Sequence, residues 1–133
     1  METELFTVAT PGHSAVIDLT ARAEAFVDGR GDGLLSVFVP HATAGVAIIE
    51  VGAGSDSDLL DAIEVLLPRD DRWRHRHGSP GHGADHVLPA FVSPSTVVPV
   101  IDGELQLGVW QSIVLVDPNA DNRERNVRFS FVG

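Results

Sequence analysis

The sequence contains no cysteine, no lysine and no tyrosine, and the first absence removes a whole class of chemistry. Without cysteine the chain has no disulfide, no thiolate metal ligand and no cysteine nucleophile, which fits a reducing compartment. No apolar run reaches the roughly 18 residues that span a bilayer. The first residues have no basic segment followed by an apolar core, so no signal peptide is predicted. We therefore expect a cytoplasmic protein without a membrane segment.

Positive charge is scarce, and all of it comes from arginine in a chain of formal net charge −10. A general nucleic-acid binder and a protein for anionic membranes both need a basic surface, so neither partner is predicted. The arginines concentrate at residues 69–76 and 123–128. Because guanidinium groups bind phosphate and carboxylate in a bidentate way, these clusters leave room for a small anionic ligand.

The pattern of apolar residues predicts more strands than helices in one domain of 133 residues. Strands are predicted at 4–9, 14–19, 34–39, 45–51, 97–101, 105–116 and 127–132, and helices at 21–27, from Ser55 or Ser57 to Pro68, and at 86–91. Residues 68–84 are predicted to form an irregular loop, and a loop longer than about 12–15 residues is usually functional or disordered. The fold class expected is α+β, mostly antiparallel.

The segment WRHRHGSPGHGADH (73–86) holds four of the six histidines. His75 and His77 share a face if the segment is extended, and His82 and His86 have helical spacing, although Gly81 and Gly83 argue against a helix there. A zinc site needs three or four neutral imidazoles converging on the ion. We interpret the segment as a functional site. The alternative is a hydrated loop with scattered histidines.

Two other segments do not predict a site of their own. DPNADN (117–122) begins like a calcium loop, but Asn122 and Arg128 stand where that loop needs Gly and Glu, so a polar turn is predicted. In LGVWQS (107–112), Trp110 and Gln111 fall within a predicted strand and face opposite sides. Composition alone suggests one core aromatic and one surface amide.

Several fragments in order nevertheless resemble one family over nearly the whole chain. They are HATAGV (41–46) followed by Glu50, the acidic residues 56, 58 and 61, Trp73-Arg74-His75, the segment 83–86 ending in a histidine, VPV (98–100), LGVWQ (107–111) and a terminal arginine stretch. This set resembles the secondary thiamine-phosphate synthase family, also called the YjbQ-like family. Residues 1–133 would then be a single YjbQ-like domain.

The resemblance implies an α+β domain on a mostly antiparallel β-sandwich with two or three short helices, assembled as a homotrimer. It implies a divalent metal, expected to be zinc, and a transferase that joins hydroxymethylpyrimidine diphosphate to thiazole phosphate with release of pyrophosphate. The metal ligands implied are His41, His75 and His86. The substrate contacts implied are Thr43, Arg74, Trp110 and Gln111. The catalytic residues expected are Glu50 or Asp61, orienting a ligand histidine, and Arg125, neutralising the leaving group.

Three positions depart from the family pattern, because Ala42 and Val109 replace threonines and Ile49 replaces an asparagine. These changes remove three polar groups near the expected site. Two alternatives to the transferase therefore stay open. One is a metal-dependent hydrolase with an unknown substrate, and the other is a non-catalytic trimeric module that binds a metal or a ligand.

Overall fold

A computed structural model describes residues 1–133 as eight strands, three α-helices and one 3-10 turn. The strands are β1 (Glu2–Ala9), β2 (Ala15–Asp18), β3 (Gly33–Phe38), β4 (Gly45–Ile49), β5 (Ser95–Ile101), β6 (Glu104–Leu105), β7 (Ser112–Asp117) and β8 (Glu124–Val132). The helices are α1 (Thr20–Val27), α2 (Ser55–Leu66) and α3 (His82–Val87), which runs into the 3-10 turn Leu88–Ala90.

The strands form two antiparallel sheets. The larger has the order β1-β8-β3-β5-β6, and the smaller has the order β2-β7-β4. Every pair of neighbouring strands is antiparallel, and β1 pairs with β8 along its whole length, from Glu2 opposite Phe131 to Ala9 opposite Glu124. The predicted α+β class with mostly antiparallel strands is confirmed.

Strand β7 is buried on both faces and so separates two hydrophobic clusters. Ile113 and Leu115 join the main core of 17 residues that the two sheets and α1 enclose. Val114 and Val116 point the other way, into a cluster of six residues with α2 and α3. Full burial of each such aliphatic side chain stabilises the fold by about 1.5–3 kcal/mol. The small sheet thereby fixes the positions of α2 and α3 against the main core.

The predicted strand 105–116 is broken, and this corrects the placement of Trp110 and Gln111. Residues 106–111 leave the sheet and form a turn in which the Gln111 N–H donates to the Gly108 carbonyl at 3.0 Å. The Gly108 N–H donates to Gln111 Oε1 at 2.7 Å. Trp110, expected in the core on composition, is 72% exposed because it lies at the tip of this turn.

Helix α2 begins differently from the prediction. Its N-cap is Gly54, in a left-handed conformation with φ of 108°, and neither Ser55 nor Ser57 caps it with its side chain. Asp56 and Asp58 in the first turn favour the helix by facing the positive end of its dipole. At 12 residues α2 is the longest helix, and none of the helices has the length and hydropathy needed to cross a membrane.

The outer face of the larger sheet carries apolar side chains that nothing in the chain covers. They are Leu34, Phe38, Val97, Ile101 and Val132, each between 42% and 55% exposed. They belong to the adjacent strands β8, β3 and β5, and Leu34 stands directly opposite Val132 in the register. We call these five residues the outer patch.

Candidate metal centre

Helix α3 carries two of the clustered histidines, and two glycines allow it to form where we expected a loop. Gly81 is the N-cap, with φ of 80°, and a Cβ there would collide with the backbone of Arg69. A Cβ at Gly83 would lie 2.5 Å from both the His75 carbonyl oxygen and Trp73 Cβ. Only a residue without a side chain lets α3 approach the preceding loop this closely. The helix therefore starts at His82, and not at His86.

Three histidines converge at the start of α3. His75 comes from the loop, whereas His82 and His86 lie one turn apart on α3. One ring nitrogen from each falls within 4.8 Å of the other two. The Nε2 atoms of His82 and His86 are 2.9 Å apart. Two nitrogen ligands of a tetrahedral zinc, each 2.0–2.1 Å from the ion, would be about 3.3 Å apart, so this pair needs little adjustment. We call these three residues the histidine cluster.

The other ring nitrogen of His82 meets the turn that follows β7. Its Nδ1 lies 3.0 Å from Asp121 Oδ2 and 3.2 Å from Asn119 Nδ2. Because a carboxylate only accepts hydrogen bonds, we assign the proton to Nδ1, donating to Asp121, and the donor Asn119 Nδ2 then makes no hydrogen bond to this nitrogen. Nε2 then presents its lone pair toward the cluster, as in the carboxylate–histidine–metal arrangement of many metalloproteins.

Burial and neighbouring histidines favour the neutral form of His75 and His86, which is the form that binds a metal. Burial lowers the pKa of His75, and the neighbouring His77 and His82 lower it further. Burial also lowers the pKa of His86, with smaller contributions from His75, His82 and His77. Hydrogen bonds from the Ser79 hydroxyl and N–H hold the pKa of Asp121 below its usual range, so this carboxylate stays charged beside His82.

One ring nitrogen of the cluster has no partner in the chain. His75 Nδ1 is buried and makes no hydrogen bond. Native proteins rarely leave a buried polar atom unpaired, so such an atom calls for a bound water, ion or ligand. Three imidazoles with one such nitrogen could hold a divalent metal, and zinc is one of the ions that neutral imidazoles commonly bind.

The cluster opens on a cavity of about 410 Å³. Trp73, Arg76, His77 and Asp71 contribute to its wall, together with His75 and His82. The His77 ring lies 3.9 Å from that of His75, measured between centroids. A cavity of this size suits a small molecule, and Arg76 supplies a cation beside the histidines.

Comparison with known proteins assigns the chain to a family. Residues 4–133 match the model of the family described as UPF0047 protein YjbQ-like. The chain belongs to the YjbQ-like UPF0047 family. This YjbQ-like chain is 62% identical to the UPF0047 protein Rv2556c of Mycobacterium tuberculosis, over 99% of the chain and 98% of that protein. It is 34% identical to a UPF0047 protein of Archaeoglobus fulgidus, over 84% of the chain and 86% of that protein.

Solved structures give the same fold. A hypothetical protein from Aeropyrum pernix superimposes with a TM-score of 0.89 at 35% identity, covering 100% of the YjbQ-like chain and 99% of the other. A protein of unknown function from Sulfolobus solfataricus superimposes with a TM-score of 0.91 at 26% identity, covering 99% and 96%.

The structure brings together two of the three predicted ligands of the YjbQ-like chain, and its third histidine differs from the prediction. His82 joins His75 and His86 in place of His41. The Nε2 atom of His41 accepts a hydrogen bond from the Asn126 N–H at 2.8 Å, which ties this ring to β8. Burial, together with the positive charge of Arg125, lowers the pKa of His41.

Arg125 and Thr43 lie in a buried network of the YjbQ-like chain. Arg125 is 1% exposed and donates two hydrogen bonds of 2.9 Å to the Asp117 carboxylate. It also donates to Thr43 Oγ1 at 2.9 Å. The Asp117 Oδ1 atom accepts from the Asn119 N–H, and Asn119 Oδ1 accepts from the Asp121 N–H. The network therefore ends at Asp121, whose carboxylate orients His82. The buried ion pair between Arg125 and Asp117 stabilises the turn after β7.

The remaining predicted residues of the YjbQ-like chain do not line the cavity beside the histidine cluster. Glu50 is half-buried and Asp61 lies exposed on α2. Arg74 is exposed, while Arg76, two residues further on, lines the cavity. Trp110 and Gln111 occupy the exposed turn before β7. Their expected roles toward a substrate stay predictions.

Sequence reasoning missed Asp121 and Asn119, which the turn after β7 supplies. The spacing of Asp117, Asn119 and Asp121 is the signal that could have found them, although by itself it predicts only a polar turn. Side chains at this spacing also bond to the backbone two residues on, and the Asp117–Asn119 and Asn119–Asp121 bonds are of this kind.

Proposed function

We propose that the chain binds a divalent metal, zinc, through His75, His82 and His86 and is an enzyme for a phosphorylated small molecule. The observation that carries the proposal is the convergence of three ring nitrogens within 4.8 Å beside the unpartnered, buried His75 Nδ1. The lowered pKa values of His75 and His86 support it, because ligand imidazoles must be neutral.

Each residue then has a physical task. The Asp121 carboxylate accepts a hydrogen bond from the protonated Nδ1 of His82. This bond orients the His82 ring so that Nε2 faces His75 and His86. Arg76, whose Nε donates to the Trp73 carbonyl at 3.1 Å, lies in the cavity wall where an anionic phosphate would sit. A metal bound here would supply a Lewis acid that stabilises negative charge on phosphate oxygens.

The specific reaction we propose is the thiamine-phosphate synthase reaction, on the strength of the family resemblance. The C–O bond between the pyrimidine methylene and its diphosphate breaks, and the thiazole nitrogen forms the new C–N bond. Pyrophosphate leaves with the bonding electrons, and Arg76 offers positive charge to that group. Arg125, first expected in this role, is occupied by Asp117 in the buried network.

Hydrolysis of a phosphoester is a second candidate, favoured by a different observation. One chain offers a single cavity of about 410 Å³ at the cluster, enough for one small molecule, whereas the transferase must hold two. A metal held by these three histidines would have room for a water molecule and could activate it as a nucleophile, as catalytic zinc sites with three protein ligands do.

A homotrimer is part of the proposal, with the outer patch as the contact between copies. The patch presents Leu34, Phe38, Val97, Ile101 and Val132 to solvent on adjacent strands. Contiguous exposed apolar surface commonly marks a protein interface. Light scattering of the purified protein should give three times the mass of the chain, and V97D should shift it toward the monomer.

Metal content and activity test the proposal together. Purified wild-type protein should contain about one zinc per chain, and H86A should contain almost none. H13A is the matched control, because His13 is exposed and its ring nitrogen contacts only the adjacent Ser14 carbonyl. An H86A protein with the same zinc content as wild type would contradict the assignment of the metal site to the histidine cluster.

Activity separates the candidates. Zinc-loaded protein should form thiamine phosphate from the two precursors, and H86A should not. Release of phosphate from simple phosphoesters without thiamine phosphate would replace the transferase by the hydrolase. Zinc binding with neither activity would leave a non-catalytic metal-binding module.

A further inference from the structure

Ser79, in the loop before α3, contacts both members of the His82–Asp121 pair. Its hydroxyl and its N–H donate to Asp121 Oδ2 at 3.0 and 3.3 Å. Its carbonyl accepts a hydrogen bond from the His82 N–H at 3.0 Å. Asp121 Oδ2 is also the atom that lies 3.0 Å from His82 Nδ1. Ser79 therefore holds the carboxylate and the imidazole ring in place relative to each other.

The backbone beside Ser79 packs closely against the same pair. Gly78 has a φ of 86°, and a Cβ there would lie 2.9 Å from His82 Cγ and 3.2 Å from Asp121 Oδ2. Both the left-handed conformation and the first of these contacts disfavour a residue with a side chain. The glycine thus lets the loop bring Ser79 within hydrogen-bond reach of Asp121.

Ser79 also connects the loop to the rest of the chain. It is the only residue of segment 70–80 that hydrogen-bonds to a residue outside 68–82. The other hydrogen bonds of this segment are made within residues 68–82. His75 lies in the same segment. The contact between Ser79 and Asp121 therefore joins the loop that carries one histidine of the cluster to the turn after β7.

His82 Nδ1 has two neighbours of opposite kind. Asp121 Oδ2, at 3.0 Å, only accepts a hydrogen bond, whereas Asn119 Nδ2, at 3.2 Å, only donates one. With the proton on Nδ1, the ring donates to Asp121 and the lone pair of Nε2 is free for a metal. With the proton on Nε2, Nδ1 accepts from Asn119 and Nε2 has no lone pair to offer. The hydrogen bond at Nδ1 decides between these two tautomers.

We propose that Ser79 is a positioning residue, which sets the tautomer of His82 by holding Asp121 Oδ2 against Nδ1 and so keeps Nε2 ready for a metal. Without the Ser79 hydroxyl, only the longer bond from the Ser79 N–H holds this oxygen, so the tautomer that accepts from Asn119 gains population. The part that concerns the metal rests on the proposed function, whereas the tautomer is a property of the metal-free chain and is measured there.

Ring-nitrogen chemical shifts of the ¹⁵N-histidine-labelled full chain report the tautomer, because protonated and unprotonated nitrogens resonate far apart. The spectra are recorded with a chelator at about pH 8, above the ordinary histidine pKa of about 6.5. Wild type should show His82 protonated at Nδ1, and S79A should show a mixture of the two tautomers. S79T keeps the hydroxyl and should resemble wild type. S57A is the matched control, because Ser57 is exposed on α2 and its side chain caps nothing.

Zinc affinity gives the second measurement on the same variants. S79A should bind zinc about tenfold more weakly, at the lower end of the range for partners of a metal ligand, because the N–H bond to Asp121 remains. S79T and S57A should bind as wild type does. A wild-type tautomer in S79A, or a changed tautomer with undiminished zinc affinity, would overturn the proposal. If wild type bound no zinc and S79A still changed the tautomer, the proposed function would fail and the role of Ser79 toward His82 would stand.

Discussion

Two sets of buried polar groups in the chain differ in how far their hydrogen bonds are satisfied. Arg125 and Asp117, at 1% and 0% exposure, have their hydrogen bonds filled by each other, by Thr43 and by Asn119. In the histidine cluster and its helix, by contrast, His75 Nδ1 and Asp85 Oδ2 are left open. A network whose hydrogen bonds are all satisfied stabilises the fold, whereas unsatisfied polar atoms are available to bind a ligand. We therefore expect substitutions in the first set to lower stability and substitutions in the second set to lower ligand binding.

The largest effect on stability should come from disrupting the buried network of Arg125 and Asp117. R125M leaves the Asp117 carboxylate buried without its cation, so we expect a loss of about 3–5 kcal/mol in the free energy of unfolding. Urea denaturation measures this. R123M, at an exposed neighbouring position, should change stability by less than about 0.5 kcal/mol. An R125M protein of normal stability that had lost only activity would place Arg125 in catalysis after all.

The next largest effect on stability should come from binding zinc to the histidine cluster. Zinc at about 100 times its dissociation constant should stabilise the wild-type chain by about 2.7 kcal/mol, because only the folded state presents the three nitrogens together. Thermal unfolding with zinc and with chelator measures the difference. H86A should lose this stabilisation and H13A should keep it. A wild-type melting temperature that does not respond to zinc contradicts the assignment.

Substitution of Asp121, which connects the Arg125 network to the histidine cluster, should have an intermediate effect, and this effect should be on metal affinity. D121N replaces the charged acceptor that orients His82 by a neutral amide, and changes of this kind typically weaken metal affinity about 10–100-fold. Competition with a chromophoric chelator measures it. D61N is the matched control, because Asp61 is an exposed carboxylate on α2 that was first expected to orient a ligand. If D61N had the larger effect, the original assignment would be restored.

The smallest effect should appear in the pH dependence of the metal-free chain. The folded state lowers the pKa of His75 and His86 below the ordinary value of about 6.5. The unfolded chain therefore takes up protons first as the pH falls, so stability should decline below about pH 6.5 and level off under the folded pKa values. Unfolding curves between pH 8 and pH 5 record the slope. The H75A/H86A double variant should show a flatter curve.

Much of the fold could be predicted from the sequence because it depends on local alternation and turns. The strands β1, β3, β5 and β8 were each expected within a few residues of their observed bounds. The strand predicted at 105–116 failed because the turn from Gly108 to Gln111 interrupts it through a side-chain hydrogen bond. Apolar periodicity does not report a bond of that kind.

The candidate site was only partly predictable, for a tertiary reason. His75 and His86 were expected from the family resemblance, which gives no role to His82. Gly81 and Gly83, poor helix residues in isolation, also argued against the helix that carries His82. Here the glycines are needed by contacts with Arg69 and Trp73, which no local pattern reveals. Asp121 reaches His82 only because β7 ends beside α3, at a distance of 39 positions along the chain.

Strand β8 lies between β1 and β3 in the larger sheet, and this has a consequence for folding. The hydrogen bond from Thr3 to the Phe129 carbonyl spans 126 positions, so the sheet has a high contact order. During synthesis β1 is made first, yet it has no neighbour until β8 leaves the ribosome. The sheet therefore closes after translation of the last strand, and folding should be slow compared with that of a helical bundle of similar length. Until then the unpaired edges of β1 and β3 can pair with other chains, so aggregation should compete with folding at this stage.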